Sequence, residues 1–289
     1  MPSARGPRAL ASRVPAPLFI IGSGLTQYIG AAIAVSLFTV IEPSSVAWAR
    51  VTVGAVVLLA WRRPWRSGLT GRDLVNSAIF GVALCAMNVT FYESIHLLPL
   101  GVAVSLEFLG PVGVAVVRGT GAGSRVAAVL ALAGVASIGG LGLDLRAPGV
   151  LEGLAWVLAA AALWAVYIVL GQRIAQERSG ITNLALGCTA GSLVFSPLLA
   201  HGAAPALHSW GVAAGVLGVA LLSTVLPLSL EALALSRVSA PTFALLNALL
   251  PATSAIVGAI LLRQLPGPWE VVGLVLVSAA VWLASRSGD

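Results

Sequence analysis

Three ionisable residues lie deep inside apolar stretches of this chain. Arg50 lies within "SSVAWARVTVG", while Glu93 and Glu107 lie seven residues before and seven residues after the turn at Leu100. An ionisable side chain inside the hydrocarbon of a membrane is costly, which makes such a residue a candidate for function. At about 1.5 Å per helical residue, all three lie roughly 10 Å below one membrane surface. The spacing therefore predicts one cluster of two carboxylates and one guanidinium.

This cluster favours two kinds of chemistry. Two carboxylates close together in a low dielectric do not both ionise readily, so one of them can hold an exchangeable proton. Glu93 or Glu107 would also suit the ammonium group of a substrate, and Arg50 would suit a carboxylate. The alternative is a static ion pair between Arg50 and one glutamate that only orients helices. The sequence leaves open which glutamate titrates and which role Arg50 has.

Three prolines in the apolar stretches each follow a polar residue by four positions. The three pairs are Glu107–Pro111, Ser223–Pro227 and Asn247–Pro251. Proline has no N–H and therefore leaves the carbonyl four residues earlier without its helical partner. In a membrane an unpaired carbonyl is tolerated only against protein or a water-filled cavity. We therefore expect all three pairs to line one polar cavity.

Four further polar residues complete the candidate cavity. Glu231 follows Ser223 and Pro227 at spacings of four, so the three share a helix face. Glu231 precedes the next turn by about as many residues as Asn247 follows it, which gives the second half a polar pair of its own. Asn88 and Tyr92 are four residues apart. Gln27 is either a cavity residue or a hydrogen-bonding contact between helices.

The chain is rich in hydrophobic residues and poor in charged ones. The chain of 289 residues is 58% hydrophobic and only 9% charged, whereas soluble domains are roughly 25% charged. It is therefore expected to be an integral membrane protein. Its net charge of +6 comes from arginines in short gaps between apolar runs, a pattern that argues against nucleic acid as a partner. Cys85 and Cys188 form no metal motif, and we expect no cofactor.

The apolar runs divide into ten predicted membrane helices. The predicted spans are 17–40, 44–61, 74–97, 100–118, 124–143, 150–171, 181–200, 210–235, 239–262 and 268–285. With both termini in the cytoplasm, thirteen arginines lie in inside segments and two in outside segments. This bias is typical of membrane proteins and favours ten spans over an odd number.

The two halves of the chain resemble each other. "LPLGVAVSLEFLGP" (98–111) aligns with "VSAPTFALLNALLP" (238–251) at an offset of 140 residues. Five spans is an odd number, so the second half would enter the membrane upside down, as in many secondary transporters. We expect a cytoplasmic tail over 1–16, a first five-helix repeat over 17–145 and a second over 146–289.

Four segments resemble the EamA branch of the drug/metabolite transporter superfamily, and within it the threonine/homoserine exporter-like transporters. They are "TQYIGAAIAVSLF", "SSVAWARVTVGAVVLLAWRRPW", "NVTFYESIHLLPLGVAVSLEFLGP" and "VLPLSLEALALSRVSAPTFALLNALLPA". The resemblance implies an all-α fold of ten transmembrane helices in two inverted repeats around a central cavity. It also implies export of small metabolites, often amino acids, by proton exchange. The chain departs from the family at Leu250 and Gln264, where a glutamate is usual, which puts the cargo and the coupling ion in doubt.

The expected function is export of a small polar metabolite across a bacterial plasma membrane, with the bilayer and the solute as partners. Alternatives are export of drugs or other metabolites, which a more aromatic cavity would favour, and a non-transporting structural subunit. An intramembrane enzyme is disfavoured because no histidine pairs with a nucleophile and no metal-ligand spacing occurs. Whether two chains form a homodimer is left open.

Overall fold

The computed structural model describes residues 16–66, 70–118, 122–174, 180–227, 230 and 249–286. Within these residues all regular structure is helical, which confirms the predicted all-α class. The helices are α1 (Ala16–Leu37), α2 (Pro43–Arg62), α3 (Gly71–Leu97), α4 (Leu100–Glu107), α5 (Leu109–Arg118), α6 (Ala122–Ala136), α7 (Val150–Ile174), α8 (Gly180–Leu199), α9 (Pro205–His208), α10 (Trp210–Ala220), α11 (Leu250–Leu261) and α12 (Pro268–Arg286). Short 3₁₀ turns cover Pro64–Arg66 and His201–Ala203, and π-helical turns cover Ser137–Gly142 and Leu221–Val225.

Length and apolarity qualify several of these helices to cross a membrane. Five described helices meet both criteria, namely α1, α2, α3, α7 and α8. A sixth span results if the bent pair of His201–His208 and Trp210–Val225, which meet at 117°, is counted as one. Segments of α4–α5, α6, α11 and α12 are apolar but shorter. The chain thus has the helices of a membrane protein, and helices occur within each of the predicted spans.

Two of the predicted spans are interrupted near prolines. The fourth span breaks at Phe108, between α4 and α5, three residues before Pro111. After α10 the helix widens into the π turn Leu221–Val225, where the Leu226 N–H donates to the Leu221 carbonyl five residues earlier. Pro227 follows this turn and donates no hydrogen bond. The prolines therefore coincide with irregular backbone, as their chemistry requires.

The helices pack mainly across the boundary between the two halves. In the first half α3 contacts α7 and α8, and α2 contacts α8 and α10. α1 packs on α10 and α11, α4 packs on α11, both α4 and α5 pack on α7, and α6 packs on α12. At the centre lies α4, in which every residue from Leu100 to Leu106 is buried.

Glycines allow one of these contacts to be especially close. A Cβ added to Gly81 of α3 would overlap the backbone of Gly187 of α8, and one added to Gly191 would overlap the carbonyl of Gly81. Gly187 and Gly191 therefore serve close packing of α8 on α3. Gly211 of α10 makes no such contact among the described residues, because a Cβ there would meet only the Ser209 hydroxyl, at 3.9 Å.

Candidate functional site

Arg50 is the centre of a hydrogen-bonded group that joins both halves of the chain. Its Nη1 donates to the Tyr92 hydroxyl at 3.1 Å, its Nε donates to Thr224 Oγ1 at 3.1 Å, and its Nη2 donates to the Ser223 carbonyl at 3.2 Å. The guanidinium also lies 5.5 Å from the centre of the Tyr92 ring. Arg50 on α2 thereby connects α3 in the first half to the π turn in the second half.

The carbonyl that Arg50 binds is the one that a proline leaves free. Pro227 cannot donate to the Ser223 carbonyl, so a donor from another helix takes its place. The Ser223 hydroxyl donates in turn to the Gln27 carbonyl of α1 at 3.1 Å. Within the described residues, this is the only freed carbonyl of the three predicted pairs for which the structure gives a side-chain partner.

Small residues let the π turn approach its neighbours. A Cβ at Gly30 of α1 would overlap the Ser223 hydroxyl, and one at Gly54 of α2 would lie 3.0 Å from Thr224 Cγ2. Both Ser223 and Thr224 are buried. Glycine at these two positions therefore permits the close approach on which the hydrogen bonds of Arg50 depend.

Glu107 lies at the end of α4, immediately before the helix break. It keeps partial exposure, although the seven residues before it in α4 are all buried. None of the three hydrogen bonds of Arg50 goes to Glu107. Glu107 thus combines a position beside broken helix with partial access from outside the packed core.

The side chain of Glu93 is bonded to the start of α2. Its Oε1 accepts a hydrogen bond from the Ser44 N–H at 3.0 Å, and Ser44 is the second residue of α2. A carboxylate at a helix N-terminus satisfies a free N–H and interacts well with the helix dipole. Glu93 is therefore occupied as a cap for α2 and is not hydrogen-bonded to Arg50. The alternative of a static ion pair between Arg50 and one glutamate is not found in the part of the chain described, where Arg50 is bonded to neutral oxygens.

The other predicted site residues have different surroundings. The Asn88 side chain is buried and donates to the Leu84 carbonyl of its own helix at 2.8 Å. Gln27 is partly exposed on α1, beside the π turn. Pro251 is buried in the first turn of α11. Glu231 and Asn247 lie outside the described residues.

Thr224 and Gln264 have contacts that spacing alone does not reveal. Thr224 follows Ser223 and binds Arg50 only because the π turn presents both residues to α2. Gln264 Oε1 accepts a hydrogen bond from the Leu100 N–H at 2.9 Å, so it caps the N-terminus of α4. The sequence signal for Gln264 was present, since it stands where a glutamate is usual, but its function as a cap depends on a partner 164 residues away.

Curated relatives match nearly the whole chain. It is 38% identical over 251 residues to the threonine/homoserine exporter RhtA of Escherichia coli (strain K12), covering 87% of this chain and 84% of the relative. It is 37% identical over the same length to the threonine/homoserine exporter RhtA of Salmonella typhimurium (strain LT2).

Two further comparisons agree with these relatives. A protein crystal structure resembles the fold with a TM-score of 0.57 at 18% identity, covering 93% of this chain and 96% of that one. The model of the EamA-like transporter family matches residues 151–286. With the relatives that span most of its length, this match shows that the chain belongs to the EamA-like transporter family.

Proposed function

We propose that this protein exports small polar metabolites, with threonine-like and homoserine-like amino acids as its substrates, by alternating access. The observation that carries the proposal is the Arg50 group. In it the guanidinium of a partly exposed arginine, between helices of both halves, donates to a proline-freed carbonyl. The similarity to threonine/homoserine exporters over most of the chain supports the choice of substrate. Glu107, Gln27, Asn88, Tyr92, Glu231 and Asn247 are the proposed polar lining, with Pro111, Pro227 and Pro251 as the positions where the backbone is irregular.

We propose ten membrane helices arranged as two inverted repeats. The pattern of helix contacts supports this arrangement. Such an arrangement has an axis that exchanges α1 with α7, α2 with α8, α3 with α10, α4–α5 with α11, and α6 with α12. This axis would turn the contact of α1 with α11 into the contact of α7 with α4 and α5. It would likewise exchange α1–α10 with α3–α7, and α2–α10 with α3–α8, and each of these contacts is present.

Three other contacts are carried onto themselves by the same axis. They are α2 with α8, α4 with α11, and α6 with α12, and all three are present. The contacts of α12 with α4 and α5, and of α2 with α3, have no counterparts of similar extent among the described helices. Such agreement between halves is expected when one five-helix unit has been duplicated in opposite orientations.

The proposed driving force is exchange with protons at Glu107. A carboxyl group in a membrane helix, at a break in its backbone and partly accessible, is suited to bind and release a proton during transport. The proposed location is a bacterial plasma membrane with both termini in the cytoplasm, an orientation supported by thirteen arginines on the inside against two on the outside.

Efflux from cells tests this function directly. Cells loaded with a dipeptide mixture would be compared with and without the protein, and with Glu107→Gln at equal membrane level. We expect the wild-type protein to lower internal threonine or homoserine further than the Glu107→Gln protein does. An unchanged internal level of every amino acid would contradict the proposed cargo. Equal export by the Glu107→Gln protein would contradict the proposed role of Glu107.

A further inference from the structure

Some N–H groups of the Arg50 guanidinium have no hydrogen-bond acceptor among the described residues. Arginine carries five N–H donors, and within the described residues three of them are used, one each on Nε, Nη1 and Nη2. Among these residues, one donor on each terminal nitrogen has no acceptor. Two donors on the terminal nitrogens of one planar group match the two oxygens of a carboxylate.

In the part of the chain that the structure describes, the oxygen atoms that accept hydrogen bonds from Arg50 are all neutral. They belong to a threonine hydroxyl, a tyrosine hydroxyl and a backbone carbonyl. A guanidinium between membrane helices is costly when no anion balances it. Among the described residues, Arg50 is thus partly exposed and donates to no carboxylate, which suits it to bind an anion that arrives with the ligand.

Thr224 fixes the direction in which these two donors point. Its hydroxyl holds Nε, and its own position is fixed by burial, by the π turn and by contact with the glycine at position 54. Tyr92, with none of its surface exposed, holds Nη1. Contacts on Nε and Nη1 set the plane of the guanidinium. Its two remaining N–H groups are therefore already oriented before a ligand binds.

We infer that Arg50 binds the carboxylate of the transported solute and that Thr224 is the positioning residue for this contact. The inference rests on the proposed function because it assigns one end of the exported amino acid to Arg50. It goes further in predicting selectivity: the site distinguishes a carboxylic acid from its amide. It also assigns to Thr224 a role in that selectivity, although Thr224 would not touch the solute itself.

The test measures ligand binding to the purified full-length protein. Affinities would be determined for L-threonine and L-threoninamide, and for L-lactate and L-lactamide as a pair without an amino group. The variants are Thr224→Val, which keeps the shape and loses the acceptor, and Thr224→Ser, which keeps the hydroxyl. Tyr92→Phe provides a second, independent loss of a positioning hydroxyl.

We expect the wild-type protein to prefer each acid over its amide by at least about tenfold, as for a hydrogen-bonded charge pair. Thr224→Val and Tyr92→Phe should each lower this ratio by roughly threefold to tenfold, and Thr224→Ser should keep it within about twofold of wild type. A merely structural role of Thr224 would weaken acid and amide equally and leave the ratio unchanged.

The other outcomes separate the inference from the proposed function. Threonine binding without preference over its amide, or an unchanged ratio in Thr224→Val and Tyr92→Phe, overturns the inference and leaves amino-acid export standing. Preference for lactate over lactamide without threonine binding supports the carboxylate site and overturns the proposed cargo. Binding of none of the four ligands overturns both.

Discussion

Two glutamates at matched distances from one turn have different surroundings in the folded chain. Glu93 is bonded to the N–H of Ser44 at the start of α2, whereas Glu107 lies at the break after α4 and keeps partial exposure. Spacing predicts their similar depth but not the direction of each side chain, because a partner from another helix decides that. Replacement with glutamine is therefore expected to have different effects on transport at the two positions.

Replacing each glutamate with glutamine separates the two roles. Glu93→Gln retains a carbonyl oxygen that accepts a hydrogen bond from the Ser44 N–H. We therefore expect export to continue and the free energy of unfolding to fall by less than about 1 kcal/mol. Glu107→Gln removes the group that takes up protons, so we expect export to lose its dependence on a pH gradient. Export assays at several imposed gradients, with melting of both variants in detergent, check this. Loss of gradient dependence in the Glu93→Gln protein would contradict this assignment, because it would mean that Glu93 takes up the proton.

Helix ends depend on distant side chains at two places. The first helical N–H groups of α2 and α4 are bonded by Glu93 and Gln264, whereas α3 has a local capping box formed by Thr70 and Asp73. A local cap can be predicted from a few neighbouring residues. Caps supplied from another part of the chain cannot, because they exist only once the helices have assembled.

The cap on α4 makes Gln264 a test of stability. Gln264→Leu should lower the free energy of unfolding by roughly 0.5–2 kcal/mol, since the Leu100 N–H loses its partner. Gln264→Glu keeps an acceptor and adds a favourable charge at the helix N-terminus, so it should equal or exceed wild type. Melting of the three proteins in one detergent compares them. Equal melting temperatures for Gln264→Leu and wild type would argue against the cap.

Close packing of α3 on α8 gives a second prediction at the level of elements. Gly81→Ala would place a methyl group against the backbone of Gly187, and overpacking of this kind typically costs about 1–3 kcal/mol. Gly218→Ala is the matched control, because a Cβ there meets nothing within 4 Å among the described residues. Melting curves should show a loss for the first variant only. A loss of equal size in both would mean that helix contact is not the cause.

The helices and the positions where they are disturbed can be predicted from the sequence, whereas contacts between distant segments cannot. Long apolar runs must form helices in a membrane, since backbone groups cannot be satisfied otherwise, and prolines such as Pro111 and Pro227 must disturb them. Arg50 is recognisable as an intramembrane charge. Its partners Thr224 and Ser223 are not, because they lie in a π turn that comes into contact with Gly30 and Gly54 only when the helices pack together.

At the scale of the whole molecule, the inverted repeat predicts which loops face which side. Asp144 and Trp65 are both exposed, in loops that the proposed topology assigns to the outside and the inside respectively. In a background in which Cys85 and Cys188 are replaced by alanine, Asp144→Cys should react with a membrane-impermeant maleimide in intact cells. Trp65→Cys should react only after the cells are permeabilised. The reverse pattern would contradict the proposed orientation.

The most direct test of the account is transport by the purified protein in liposomes. Radiolabelled L-threonine uptake would be followed after a pH gradient is imposed, for wild type, Arg50→Leu and Glu107→Gln at equal reconstitution. We predict gradient-driven uptake by wild type, a loss of at least about tenfold for Arg50→Leu, and uptake without gradient dependence for Glu107→Gln. Failure of wild type to transport threonine or homoserine under any gradient would contradict the central claim.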